Sequence, residues 1–241
     1  MHETIDCPVC TGHSFSPLFT KQEESFVSCD GCGLMLINPP PEMQQVEQTY
    51  DSDYSDHYIK KADKKLKRCR QWVARVKKRY QQSGRWLDVG CSAGFVVAAA
   101  KQAGFDAFGV EVEAAAVRYA SGVLKLANVR VGTLEEQNYP DQHFDVISMY
   151  DVIEHVPDLN RVVAELRRII KPDGVIEIRT PDLRHWQTPK DLSDWKEVKP
   201  SEHLYYFDAK TLTQLFANHE LKLKKRRRMF KPALDMFFAP N

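Results

Sequence analysis

The sequence predicts an α/β protein: a mostly parallel sheet with helices on both faces, preceded by a small four-cysteine module. Three observations predict it. From Gly84 onward, short apolar runs alternate with helical patterns, and strands alternating with helices build a parallel sheet covered on both sides. Four of the six cysteines fall in the first 40 residues, as two Cys-x-x-Cys pairs. A glycine-bearing turn joins the first strand of the long region directly to a helix.

The 241 residues, 43% hydrophobic, suffice for one good-sized core and a small appendage. A net charge of +1 leaves no global field toward nucleic acid or an acidic membrane. The opening residues MHETIDC lack the basic and apolar regions of a signal peptide, and no apolar run is long enough to span a bilayer. The expected location is therefore the cytoplasm, without membrane attachment. Thiols stay reduced there, so the cysteines read as metal ligands or plain thiols before disulfides. No oligomeric state follows from the sequence.

Residues 1–40 form the first unit. Cys7-Pro-Val-Cys10 and Cys29-Asp-Gly-Cys32 are separated by eighteen residues, and Gly31 and Gly33 permit a tight turn at the second pair. Cys7, Cys10, Cys29 and Cys32 can close a tetrahedral zinc shell at about 2.3 Å with no open position, a structural zinc ribbon. Such a site supplies about 10–16 kcal/mol, enough to fold a module too small for its own core. The unit ends in Asn38-Pro39-Pro40-Pro41.

Residues 41–83 are Tyr/Asp-rich, then helical. Leu66, Cys69, Val73, Val76 and Tyr80 mark one stripe of an amphipathic helix, on which Cys69 is a packing residue. Residues 84–241 hold the sheet. Expected strands are Arg85–Val89, Phe105–Val110, Asn128–Val131, Phe144–Tyr150 and Val175–Arg179; expected helices are Phe95–Ala103, Ala114–Ala120 and Leu159–Ile170. Lys171-Pro-Asp-Gly174 reads as a turn before the fifth strand. Leu221–Met229 can supply an antiparallel strand, whereas Asp235–Phe238 reads as a weak one. Ligands bind outside the carboxyl ends of strands in such a sheet, at the topological switch point.

The turn Trp86-Leu-Asp88-Val-Gly90-Cys-Ser-Ala-Gly94 sits at such an end, and its glycines allow close approach of a ligand. Asp88 suits a ligand ammonium, and Glu111, 23 residues later at the second strand's end, suits a ribose diol. A dinucleotide would want Gly-x-Gly-x-x-Gly, and an acid in the turn repels phosphate. Gly90-Cys-Ser-Ala-Gly94 also matches the Gly-x-Ser-x-Gly elbow of hydrolases, but no oxyanion motif precedes it and Glu111 would be unexplained.

These residues resemble a known family. Leu87–Gly94 is similar to motif I of class I S-adenosylmethionine-dependent methyltransferases, with Ser92 where glycine is more usual. Gly109-Val-Glu-Val112 resembles their ribose-binding strand end, Phe144-Asp-Val-Ile-Ser-Met-Tyr-Asp151-Val-Ile-Glu-His155-Val their fourth-strand motif, and Leu166–Pro181 their fifth. The resemblance implies a Rossmann-like fold and S-adenosylmethionine held by Asp88, Gly90, Cys91, Gly94, Glu111, Val112, Thr133, Leu134 and Asp151. With the ribbon in front, and with Glu202-His203-Leu-Tyr205-Tyr206-Phe207 behind, the chain resembles zinc-containing sugar C-methyltransferases. Those continue into a large C-terminal domain, whereas this sequence ends at Asn241. The implied acceptor is a small molecule, with a sugar or nucleotide-linked sugar the class suggested.

An acceptor proton calls for a base, and imidazole suits. The resemblance favours His203, with Glu202 orienting it or meeting substrate; His155, just after the fourth strand, is the other candidate. His13, His57, His143, His185 and His219 lie on polar stretches and read as surface. Tyr50, Tyr54 and Tyr58 suit a cap over the cofactor, and Trp186 and Trp195 an acceptor-binding insert. The basic runs Lys60–Arg79 and Lys222–Arg228 read as solvated faces, against a nucleic-acid partner. The alternative reading is a zinc-ribbon module that binds nucleic acid or protein on a vestigial methyltransferase fold. Intact acids at 88 and 111 argue against it; Ser92 is the irregularity in its favour.

Overall fold

The computed structural model describes residues 4–41 and 62–241. Tyr50, Tyr54, His57 and Tyr58 lie outside the described residues.

The chain first forms an antiparallel ladder of β1 (Phe15–Lys21), β2 (Glu24–Cys29) and β3 (Met35–Ile37). Helix α1 (Ala62–Arg79) then buries Cys69, Val73 and Val76 from the expected stripe. The sheet region follows as β4 (Arg85–Val89), α2 (Phe95–Gln102), β5 (Asp106–Glu111), α3 (Ala114–Gly122) and β6 (Val129–Val131). Next come β7 (Phe144–Tyr150), α4 (Leu159–Ile169) and β8 (Ile170–Pro181). The chain closes with β9 (Tyr205–Tyr206), α5 (Ala209–Ala217), β10 (Leu221–Arg226) and β11 (Ala233–Pro240).

The large sheet has the order β10-β11-β8-β7-β4-β5-β6. β4 sits between β5 and β7, parallel to both, so the chain order reverses beside β4 and opens a crevice at its carboxyl end. Residues from Phe95 to Ala100 are all buried, because α2 is apolar all round and is covered by α1 as well as by the sheet. Arg70 Nε of α1 donates to Gln102 Oε1 at 2.8 Å across that junction.

Two sequence expectations change. β8 begins at Ile170, directly after α4, and Lys171–Gly174 is an excursion within the strand: Ile170 opposes Phe144, and Val175 opposes Val146. The turn signal was real, but the ladder resumes on both sides of it. β11 is also a full strand rather than a weak one, antiparallel between β8 and β10. Its interior Asp235 argued against a buried strand, yet Asp235 is fully buried because arginines neutralise it. Its Oδ2 accepts from Arg179 Nη2 at 2.8 Å and from Arg227 Nη1 at 2.5 Å. Arg75 of α1 reaches the same group and bonds Glu177, whose Oε2 accepts from Tyr150 Oη at 2.5 Å. β10 carries the lysines expected of a solvated face, a charge pattern that blocks pairing at a sheet edge.

The ribbon does not stand alone. β9 adds to its edge, with Met35 opposite Tyr206 and Leu36 opposite Tyr205, making the four-stranded order β1-β2-β3-β9. Val9, Leu34 and Leu36 join the same apolar cluster as Leu204, Tyr205 and Phe207. The boundary expected near residue 40 is therefore crossed by both a ladder and a core. Among the described residues, no helix is long and apolar enough to cross a membrane.

The buried ion network generates a stability prediction. Asp235→Ala should lower the unfolding free energy by about 3–5 kcal/mol, since Arg179 then lies buried without its partner. Combining it with Arg179→Met should recover part of the loss in denaturant midpoint. A midpoint unchanged by Asp235→Ala would show that the network contributes nothing to stability.

Candidate active site

The turn from β4 into α2 is held by backbone and carboxylate together. Gly90 N–H and Cys91 N–H both donate to the Val110 carbonyl, at 2.9 and 3.0 Å. Glu111, half-buried at the end of β5, accepts Ser92 N–H at 2.7 Å and Glu113 N–H at 3.0 Å. Ser92 adopts φ 47°, so the turn keeps its left-handed residue where glycine would be easier. Ser92 thus belongs to a carboxylate-clamped turn.

The glycines answer to packing. At Gly90 (φ 67°) a Cβ would overlap Val152, and at Gly94 (φ 81°) it would meet Leu126 and Ala120 beneath α3. The closeness the sequence assigned to a ligand is, at these two positions, closeness to the protein's own side chains. Asp88 likewise faces inward. It is 3% exposed and accepts from Ser148 Oγ at 2.5 Å, while Ser148 accepts from Trp86 Nε1 at 2.8 Å. Burial pushes its carboxyl up to about 7, with the Glu111 and Glu177 charges adding to the rise and the Ser148 bond opposing it.

The rest of the expected cofactor set is distributed along the same edge. Val112, 51% exposed, presents an apolar face beside Glu111. Thr133 is exposed and donates its N–H to Glu136 Oε2, while Leu134 and Cys91 are buried beneath the edge. Asp151 stands exposed after β7 at φ 56°, its N–H bonded to the Arg179 carbonyl at 2.9 Å.

A second group lies at the carboxyl edge of β7 and β8. The 3₁₀ turn Ile153–His155 follows β7, and His203 precedes β9. The His155 and His203 rings meet edge to face, centroids 4.6 Å apart. Burial lowers His155 to about 4 and His203 to about 3, with Lys199 adding to both, so both rings are neutral and neither is a strong base by itself. Glu154 is 1% exposed, and its Oε2 accepts from Thr180 Oγ1 at 3.0 Å. Burial, with Asp151 nearby, raises its carboxyl to about 8. Glu202 does not orient His203; its carboxylate faces Lys199 Nζ at 3.7 Å.

In the ribbon, Cys7 Sγ lies 3.5 Å from Cys32 Sγ, and Cys10 Sγ 3.4 Å from Cys29 Sγ. All four sulfurs fall within 4.8 Å of one another. A tetrahedron with metal–sulfur bonds of about 2.3 Å has edges of about 3.8 Å, so the sulfurs fit a closed zinc shell. Gly33 supplies the turn at φ 84°, whereas Gly31 is needed because a Cβ there would press on Cys10 Sγ at 3.2 Å.

A cavity of about 920 Å³ opens past the ends of β8 and β10, lined by Arg184, His185, Trp186, Arg228 and Phe230 among others. Trp186 and Phe230 are 73% and 78% exposed, their rings 6.1 Å apart. Trp195, paired with Trp186 in the sequence reading, is instead 2% exposed and packs on Tyr206 under the ribbon. Half-buried His185 lines the cavity and His143 packs among Phe108, Tyr139 and Phe144, so neither is a plain surface residue. His13 and His219 bond Asp6 and Asn160. The sequence reading passed over Glu154 and the Arg184–Arg228–Phe230 wall. An acid inside the apolar run Val152-Ile-Glu-His-Val156 was the available signal for the first; the second is assembled from separate loops.

Comparison with known proteins agrees with this geometry. A family model described as a methyltransferase domain matches residues 56–225. A ubiquinone biosynthesis O-methyltransferase of Pasteurella multocida (strain Pm70) is 29% identical over 158 residues, 54% of this chain and 65% of that protein. A probable S-adenosylmethionine-dependent methyltransferase of Mycolicibacterium smegmatis is 29% identical over 96 residues, 40% of this chain and 37% of that protein. The chain spans less than two thirds of the length of the curated relatives it matches first. Among solved structures, the PH0226 protein from Pyrococcus horikoshii OT3 superposes with a TM-score of 0.59 at 19% identity, over 80% of this chain and 93% of that one. The mitomycin 7-O-methyltransferase MmcR does so with a TM-score of 0.62 at 15% identity, over 82% and 60%. At these identities the superpositions show the fold alone.

The buried Asp88 generates a pH prediction. Its raised pKa means that the folded state holds this proton more tightly than the unfolded chain does. The folded state is therefore favoured most below about 4, and that advantage is lost as pH rises through about 7. Asp88→Asn cannot ionise, so the variant should gain stability relative to the parent as pH rises from about 4 to 8. A stability difference that stays flat with pH, by denaturant titration, would mean Asp88 ionises normally.

Proposed function

The chain belongs to the methyltransferase domain family, and on that premise we propose that it transfers a methyl group from S-adenosylmethionine to an oxygen of a small-molecule acceptor. The observation that carries this reading is the clamped turn at the switch point. Glu111 ties Ser92 to the end of β5 on the edge where β4 and β5 present their carboxyl ends. That Ser92 still takes a left-handed conformation and donates to Glu111 supports a working turn over a vestigial one.

S-adenosylmethionine supplies a methyl group already activated on a sulfonium, so the protein's main task is alignment. Glu111 keeps lone pairs beyond its two amide bonds, and these would accept a ribose diol. Val112 would offer its exposed face to the adenine, with Leu134 beneath and Thr133 at the rim. Gly90, Cys91 and Gly94 would shape the turn around the methionine part. Asp88, being buried, would act through the turn it underpins, and Asp151 would close the β7 side.

For the acceptor, the cavity wall supports an anionic molecule with an aromatic part. Arginine forks meet phosphate or carboxylate, and Trp186 and Phe230 offer ring faces. A nucleotide-linked sugar has this chemistry. Oxygen as the methylated atom is extended to this chain from its sequence similarity to the ubiquinone biosynthesis O-methyltransferases. Zinc on Cys7, Cys10, Cys29 and Cys32 is proposed as structural, since a four-thiolate shell leaves no position for substrate.

Calorimetry tests the cofactor half. The parent should bind S-adenosylmethionine, and Glu111→Ala should weaken it about tenfold to hundredfold, equivalent to about 1.5–3 kcal/mol for charged hydrogen bonds. Unchanged affinity in a folded variant would remove Glu111 from the site. Cobalt substitution tests the ribbon: thiolate-to-metal absorption should appear in the parent and vanish in Cys29→Ser. An ordered ribbon without any thiolate-bound metal would refute the zinc assignment.

A further inference from the structure

Buried polar atoms in folded proteins nearly always have partners. Glu154 Oε1, His155 Nδ1 and His203 Nδ1 have none among the described residues. The three residues come from two distant segments, yet each offers a potential ligand atom within 4.8 Å of the other two. Glu154 and His203 are 1% and 3% exposed, so water does not freely satisfy them. Thr180 Oγ1 holds Glu154 by Oε2 and leaves Oε1 free, as an outer hydrogen bond does when it orients a metal-binding carboxylate. Lys199, whose charge reaches both rings, is itself paired with the Glu202 carboxylate at 3.7 Å, which offsets part of its opposition to a cation.

We propose that Glu154, His155 and His203 bind a first-row divalent metal ion, with open coordination positions that take an oxygen of the acceptor. Two nitrogens and one carboxylate oxygen form a mixed set typical of such ions when positions are left for substrate. The site lies at the carboxyl edge of β7 and β8, three residues from Asp151. Ion binding stands on its own; the acceptor's part in it rests on the methyl-transfer reading. In that part, an acceptor hydroxyl on the ion loses its proton to bulk water. The oxygen's electron pair then forms the oxygen–methyl bond while the carbon–sulfur pair returns to sulfur, which leaves as a neutral thioether. The two histidines thereby serve as ligands, and no buried imidazole has to carry the proton.

The test uses the full chain, stripped with a chelator and titrated with Co²⁺. Two equivalents should bind, one with thiolate-to-cobalt absorption and one without. Glu154→Gln and His203→Asn should each lose the second equivalent and keep the first, whose thiolate signal reports an intact ribbon. A single equivalent in the parent, or a second one that survives both substitutions, overturns the proposal. X-ray absorption of the doubly loaded parent decides the matter even where a variant misfolds: a nitrogen/oxygen shell for the second ion supports the site, and sulfur-only shells refute it. S-adenosylmethionine affinity, measured on the same protein, separates the two readings. Cofactor binding without the second ion removes the metal site alone, whereas a second ion without cofactor binding removes the methyl-transfer reading.

Discussion

The two-residue strand Tyr205–Tyr206 ties the molecule together. On one side it pairs with Met35 and Leu36 of the ribbon. Beside it, Leu204 N–H donates to the Glu154 carbonyl at 2.8 Å, fastening the turn that follows β7. Tyr205 Oη donates to the Pro157 carbonyl at 3.0 Å, a second tie to the same turn. His203 sits just before this strand, so the ladder that completes the ribbon also places the ring against His155. The four-cysteine unit is thus part of the scaffold of the β7–β8 carboxyl edge, and its folding has a structural consequence beyond residues 1–40. Trp195 and Leu183, packed with Phe26, Met35 and Tyr206, fill the space behind the strand.

Buried charge is handled in two ways. On β8 and β11, acids and arginines neutralise one another: Glu177 and Asp235 face Arg75, Arg179 and Arg227, with Tyr150 donating into the group. Arg179 also lies over the Trp72 and Tyr150 rings, at 4.0 and 5.0 Å from their centroids, so its charge meets aromatic faces as well as carboxylates. This network joins α1 to the sheet. At Glu154, His155 and His203 no such ion pair is found among the described residues. Burial shifts all three toward their uncharged forms, a cost to folding of the kind that clusters at functional sites.

Close packing explains details that a ligand alone would not. Gly109 lies under Cys91, whose sulfur would meet any Cβ there. Gly90 and Gly94 give way to Val152 and to the α3 side of the sheet. The turn is therefore pre-shaped by its neighbours, and Glu111 completes it through two backbone amides. A turn held in this manner loses little freedom when a ligand arrives.

Much of this protein was legible in one dimension. The alternation of apolar runs and helices specified the parallel sheet, since each pattern has its own period and each strand end announced itself by an acid or glycine. The cysteine spacing specified the four-sulfur cluster, because a knuckle needs only local turns. Local pattern could not reveal what depends on distant charge or distant chain. Asp235 made β11 look weak until Arg179 and Arg227 were found beside it, and Trp195 looked like a ligand-facing residue until the ribbon was seen to cover it. Glu202 looked like the partner of His203 because they are adjacent in sequence, yet adjacent residues on a turn point apart, and Lys199 holds the acid. The meeting of Glu154 and His155 with His203 belongs wholly to tertiary structure. Forty-eight positions separate the histidines, and the pairing of β9 with the ribbon, together with the bonds from Leu204 and Tyr205 to the turn after β7, brings them together.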